Sequence, residues 1–317
     1  MGGPDGATQI VDNGSVDRSA ELRGFLRSRR ARLEPPDVGL PWPAGQRRTS
    51  GLRRAEIAAV AGVSVDYYTR LEQGRARNVS AQVLDALAQA LKLDALERDY
   101  LYALAHPAGT PAAAAPQAKA SAGVRAMVDA LDPMPALLHG PFLEVLAVNR
   151  MGVRLFADFM AMPARERNLA RWTFLDPRAR VVYPQWDVVA SQMVAILRRA
   201  AGTRSDNPQL AALVAELSAA SPDFARSWAD HRIFRHTHGR KTIHHELVGD
   251  LHLHYQSLIV PQDPDQYVVL YIAPPGSAAA ASLAELATRS EPTTRPRWER
   301  PSPDRAWTAA RSSSPAS

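Results

Sequence analysis

The chain has 317 residues, 46% hydrophobic and 22% charged, with no cysteine and a net charge of +6. That content supports two domains with real cores and excludes disulfides, thiolate zinc sites and thiol nucleophiles. No run of about 18 apolar residues is present and the N-terminus lacks a basic region followed by an apolar stretch, so neither a membrane span nor a secretory signal is expected, and a cytoplasmic location is the default.

In chain order, residues 1–18 are rich in Gly, Asp and Ser and are expected to be disordered. Residues 19–106 read as helices interrupted by one long basic loop. Leu22, Phe25, Leu26 and Leu33 share one helical face, and the polar, proline-containing stretch Glu34–Gly51 follows. Leu52–Ala61 and Ser64–Gln73 make two short helices around Gly62. Ser80 is a good N-cap for a helix with the stripe Val83, Leu84, Leu87, Ala88 and Leu91, and Asp94–Ala105 makes a further helix. Between Arg18 and Asn78 there are 13 arginines against 6 acidic residues, a balance of +7, which leaves the remaining sequence near −1. Such a segment suits a polyanion, although a solvated basic surface has the same composition.

Within that segment, Arg54–Leu71 has helix-turn-helix spacing. Ala58 is small where two helices would cross, and Gly62 sits at the turn, where positive φ costs glycine little. Ile57, Val63, Tyr68 and Leu71 would face inward, and Ser64 can cap the second helix and aim its N-terminal end at a DNA groove.

Residues 107–122, rich in Ala and Pro, read as a linker, and residues 123–287 as a second domain. Leu137–Val148 has β character around a Gly-Pro turn; Val181–Arg199 and Pro208–Ala220 are helical. Arg240–Leu247, Leu251–Val260 and Tyr267–Ala273 are strand-like, the first two joined by a Val-Gly-Asp turn. An antiparallel sheet flanked by helices fits. The aromatic and methionine content has two readings, ordinary core packing or the lining of a hydrophobic pocket. His252 and His254 would share a strand face, a spacing open to zinc, but no third ligand or H-E-x-x-H motif accompanies them, so no metal and no cofactor are expected. Residues 288–317, rich in Pro, Ser, Arg and Thr, are expected to be a disordered tail.

The run V-S-V-D-Y-Y-T-R-L-E-Q-G at 63–74, inside a five-helix pattern, resembles the xenobiotic-response-element class of repressors, with the fold of phage lambda repressor. More narrowly, G-L-R-R-A-E-I-A at 51–58, the long inserted loop, N-R-M-G at 149–152, V-G-D-L at 248–251 and Y-I-A-P-P-G-S at 271–277 resemble MmyB-like regulators of actinobacteria. The resemblance implies an all-α lambda-repressor-like DNA-binding domain followed by an α+β, PAS-like ligand-binding domain, acting as a non-enzymatic transcription regulator.

It also implies site residues. Arg54 matches a phosphate-gripping position, and Glu72 and Arg30 a structural ion pair. Val65, Asp66, Thr69 and Arg70 match the outward face of the recognition helix. Arg70 is the candidate for a bidentate guanine contact, Val65 for a thymine methyl. Asp66 either accepts from cytosine or orients Arg70; Tyr67 either reaches a phosphate or packs. Arg47 and Arg48, in the insert, suit phosphate or minor-groove contact, or a solvated loop. The expected partners are double-stranded DNA, a second copy of the chain in a homodimer, and a small hydrophobic, fatty-acid-like ligand. Phe156, Phe159, Trp186, Met193, Trp228, Phe234, His245 and Tyr255 are the candidate ligand-lining residues, with Arg232, Arg235 or His245 holding a polar end. Two rival readings remain: a metal-dependent enzyme with an accessory DNA-binding domain, and a ligand-free structural DNA-binding protein.

Overall fold

Short polar residues start most of the helices, because their side chains satisfy amide groups that the first turn leaves without partners. The computed structural model describes residues 10–11, 15–42, 51–76, 79–106, 119–204, 207–231 and 238–289. Strands β1 (Ile10–Val11) and β2 (Ser15–Val16) pair antiparallel ahead of the first helix. Asp17 accepts from the Ser19 amide and opens α1 (Arg18–Ala31). Next come α2 (Arg54–Val60), α3 (Val65–Glu72) capped by Ser64, α4 (Ala81–Ala90) capped by Ser80, and α5 (Ala95–Ala105), where Asp94 and Glu97 form a capping box. The insert between α1 and α2 carries a 3-10 turn, Pro35–Val38, closed by Gly39. Arg47 and Arg48 lie outside the described residues.

The apolar stripes of these helices converge. Phe25, Leu26, Ile57, Ala58, Tyr68, Leu71, Leu84, Leu87 and Leu101 are all fully buried in one cluster. Each of the leucines, Ile57 and Phe25 contributes about 1.5–3 kcal/mol relative to exposure. Val63 is only half-buried, at the rim of this core.

The second domain opens with α6 (Ala122–Ala130), capped by Ser121, then β3 (Ala136–His139) and β4 (Val145–Val148) around the Gly140-Pro141 turn. Helices α7 (Arg150–Leu155), α8 (Leu169–Leu175), α9 (Arg178–Val182), α10 (Trp186–Thr203), α11 (Pro208–Ala220) and α12 (Pro222–Ala229) follow. Strands β5 (His238–His245), β6 (Gly249–Val260) and β7 (Asp263–Ile272) and helix α13 (Ala278–Thr288) complete it. The five-stranded sheet is antiparallel, in the order β4-β3-β7-β6-β5. The main core lies between one face of this sheet and the helices; a smaller one forms where α6 packs on the opposite face through Val128, Leu138 and Val268.

The single helix expected over Val181–Arg199 is two helices. Pro184 has no amide hydrogen to give and pushes Tyr183 to extended backbone (φ −111°, ψ 97°), so α9 stops and α10 starts anew. The chain reverses between β5 and β6 over Glu246–Val248, and Gly249 enters β6 at φ +71°.

The helical and α+β domains pack into one unit that extends to Ala287. Along their seam Glu21 of α1 pairs with Arg198 of α10, and both side chains are wholly excluded from solvent. Tyr100 of α5 donates its hydroxyl to the same Glu21 carboxylate at 3.3 Å. Its ring lies flat enough on α10 that a Cβ at Gly202 would come within 2.2 Å of it, so only glycine allows this approach. At the edge Ser28 donates to the Asp230 carbonyl (3.0 Å) and Arg32 reaches the Asp230 carboxylate (3.1 Å).

Candidate nucleic-acid interface and ligand cavity

Gly62 takes φ +67° and turns α2 into α3. Ser64 then accepts from the Tyr67 amide at 3.1 Å and fixes the first turn of α3. Tyr68 and Leu71 anchor one side of α3 in the core, which leaves the other side outward. Val65 is 47% exposed, the Asp66 and Arg70 side chains 80% and 58%, while Tyr67 and Thr69 are half-buried. Arg70 donates towards Asp66 one turn earlier, with Nη2 to Oδ2 at 3.2 Å. An apolar side chain and a carboxylate in the first turn of α3, with a forked cation one turn later, are equipment for reading base edges.

Behind this face lies a brace. Glu72 is buried and accepts from Arg30 (Nε to Oε2, 3.0 Å) and from Arg54 (Nη2 to Oε1, 2.9 Å). Burial alone would raise the Glu72 pKa, but the hydrogen bonds and charge of Arg30 and Arg54 hold it below the ordinary glutamate range. The Arg30–Glu72 pair implied by the resemblance is therefore present, and Arg54 joins it, with nearly half of its side chain still open to solvent.

In the α+β domain the candidate ligand residues are dispersed. Phe156 and Phe159 are packed into an aromatic cluster with Trp172, Tyr183 and Tyr271, the closest ring centroids 4.9 Å apart. Trp186 donates to the Thr173 carbonyl (2.9 Å) under Arg180. Trp228 stacks on Phe224 beneath Arg198, and His245 accepts from the Leu247 amide at the β5–β6 turn. Phe234, Arg232 and Arg235 lie outside the described residues. Met193 lines a crevice between the sheet and α10 with Leu143, Leu169, Thr173 and Val269, and Tyr255 stands beside its inner end.

That inner end is Lys241, which pattern reading missed. Lys241 is 6% exposed, its ammonium 5.0 Å from the Tyr255 ring and 5.6 Å from that of Tyr183. Among the described residues no carboxylate faces it, and burial lowers its pKa to about 8. The signal was available: on β5, Lys241 is in phase with Ile243, so a lysine occupies an inward position of an alternating strand. His139 closes the opposite wall, buried and donating to the Gly140 carbonyl, with its pKa lowered to about 4 by desolvation. The crevice volume is about 10 Å³, so an occupant would have to displace side chains.

His252 and His254 do share one sheet face, and both are exposed. Among the described residues no three potential ligand side chains converge on a metal position, and no helix is long and apolar enough to cross a membrane.

Compared with known families, residues 21–101 match a helix-turn-helix domain. Residues 120–286 match the ligand-binding domain of MmyB-like transcription regulators, over more than half of the chain. The chain belongs to the MmyB-like transcription regulators. None of the curated proteins compared with it matches. This MmyB-like regulator is thus a DNA-binding transcription regulator with a helix-turn-helix head and a ligand-binding domain, and both matched regions describe regulator modules.

Proposed function

We propose that the regulator binds its operator as a homodimer in the cytoplasm, without catalysing a reaction, and that a small hydrophobic acid bound by the PAS-like domain changes its affinity. The observation that carries the DNA half is the outward face of α3, fixed by the Ser64 cap and by burial of Tyr68 and Leu71. Arg70 reads guanine, held by Asp66, Val65 touches a neighbouring base, and Thr69, Tyr67, Arg54, Arg47 and Arg48 contact the backbone. Two heads on half-sites one helical turn apart multiply the specificity that one short helix supplies. Arginine contacts to phosphate make the affinity salt-sensitive.

The ligand half rests on Lys241. A buried ammonium without a counter-ion is costly, and a ligand carboxylate entering the crevice offsets that cost. The remaining ligand would lie along Met193, Leu143 and Leu169. It shifts operator affinity only by its differential binding to the two states of the protein.

The test is fluorescence anisotropy of the full chain on its own upstream intergenic DNA at several salt concentrations, wild type against Arg70→Ala. Sequence-specific binding weakened by about 1–3 kcal/mol in the variant supports the reading. Weak binding, blind to sequence and indifferent to the substitution, overturns it.

A further inference from the structure

A cavity of about 520 Å³ lies in the seam itself, with Leu96, Tyr100 and Ala103 of α5 on one side and Ile196, Arg199 and Tyr267 of the ligand-binding domain on the other. Its size is that of a small-molecule site, and domain seams are where such sites concentrate. Its lining is mainly apolar, and among the described residues Arg199 is the one cation there without a carboxylate, Arg204 being paired with Asp265. The Arg199 guanidinium donates to the Tyr267 hydroxyl at 3.3 Å and, among the described residues, has no carboxylate partner. The acidic side chains of the wall are engaged, Asp265 by Arg204 and Asp99 in a contact of its own. Beneath Arg199, Tyr267 stacks on His139 with 5.4 Å between centroids.

We propose that this cavity is a second ligand site, shared by head and sensor, which takes a compound with a flat apolar body and one carboxylate or sulfonate group bound by Arg199. A forked guanidinium matches such an anion in two parallel hydrogen bonds, and the apolar body fills the space between α5 and α10. The site shares His139 and Ile196 with the crevice at Lys241 but does not include Lys241, and its α5 wall is missing without the head. Tyr100 links it to the seam: its ring lines the cavity while its hydroxyl holds Glu21, which pairs with Arg198. A ligand that moves the Tyr100 ring therefore acts directly on the contact that docks the head.

The experiment titrates the full chain with 8-anilinonaphthalene-1-sulfonate and with neutral N-phenyl-1-naphthylamine, which has the same aromatic body without the charge. Wild type should prefer the sulfonate by roughly tenfold or more. Arg199→Met should abolish that preference and leave the neutral probe unchanged. Ala103→Trp, which fills the cavity from the head side, should weaken both probes, while Lys241→Met leaves both unchanged. Melting curves establish that each variant is folded, and Leu96→Trp replaces Ala103→Trp if that variant is not. Preference that survives Arg199→Met, or binding indifferent to both tryptophan variants, overturns the site. Binding lost in Lys241→Met but retained in the tryptophan variants also overturns it, and leaves the crevice reading standing.

Discussion

Glu21 and Arg198 form an ion pair across the seam between the DNA-binding head and the ligand-binding domain, with neither side chain reaching solvent. Arg198 is held further by the Trp228 carbonyl, by the Trp228 ring at 4.1 Å and by His231 Nδ1 at 2.7 Å. Burial alone would raise the Glu21 pKa, but the charge and hydrogen bond of Arg198 hold it below the usual carboxylate range. Burial keeps His231 neutral, as an acceptor for Arg198. A charge pair in such a place does little for net stability when intact, and costs heavily when one partner is removed.

Glu21→Met and Arg198→Met are each expected to destabilise the protein by about 3–5 kcal/mol, because each strands a buried charge. The double variant Glu21→Met/Arg198→Met should recover a large part of that loss. Urea unfolding of all four proteins checks this as a double-mutant cycle; additive losses would mean the pair is not coupled.

Gly202→Ala should loosen the seam at the point where Tyr100, a residue of the head core, meets α10. The added methyl meets the Tyr100 ring at 2.2 Å, so α5 and α10 must separate. A cost of about 1–3 kcal/mol is expected, the range for overpacked contacts. Amide hydrogen exchange should rise along α5 and α10 and stay unchanged in the β5–β6 hairpin.

Lys241→Met is expected to stabilise the ligand-free protein at pH 7. The folded pKa of about 8 stands below the ordinary 10.5, so the unfolded chain binds the proton more tightly. The penalty, on the order of 3 kcal/mol, is complete below pH 8 and fades as the pH rises towards 10.5. The advantage of the variant in chemical denaturation should shrink over that window.

His139 makes the opposite end of the pH range informative. Its folded pKa of about 4 lies below the ordinary 6.5, so its contribution to stability is complete above pH 6.5 and is lost as the pH falls towards 4. Wild type should lose roughly 3 kcal/mol more than His139→Phe between those pH values. Parallel denaturation curves at pH 7 and pH 4.5 measure the difference.

On DNA, Asp66→Ala separates the two roles open to that residue. If Asp66 only orients Arg70, the substitution weakens binding in the wild-type background and does nothing further in Arg70→Ala. If it accepts from a base, the two losses of about 1–3 kcal/mol each add. Their 3.2 Å contact in the free protein favours the first outcome.

The helix-turn-helix was legible in the sequence because its signals are local. Gly62 at the turn, Ser64 and Ser80 as caps and the stripe through Leu84 and Leu87 each act within one or two helical turns, and each has the expected role. The strands of the second domain were legible from alternation, and the break at Pro184 was readable from backbone chemistry, although the apolar periodicity running across it suggested one helix. The ligand residues were not legible in the same way. Aromatic content announces a core and says nothing of where the core is incomplete; Phe156, Phe159 and Trp172 simply fill one another's space.

By itself, then, the sequence determined the helix-turn-helix, its second helix α3 and the residues on the open face of that helix, since spacing and capping chemistry specify them within a few residues of chain. Only the tertiary structure decided that Lys241 lies between two tyrosines with no carboxylate facing it among the described residues, and that Glu21 meets Arg198 across 177 positions of sequence. Desolvation and charge pairing depend on what surrounds a side chain in space, and no local pattern encodes the neighbours that folding brings from so far away.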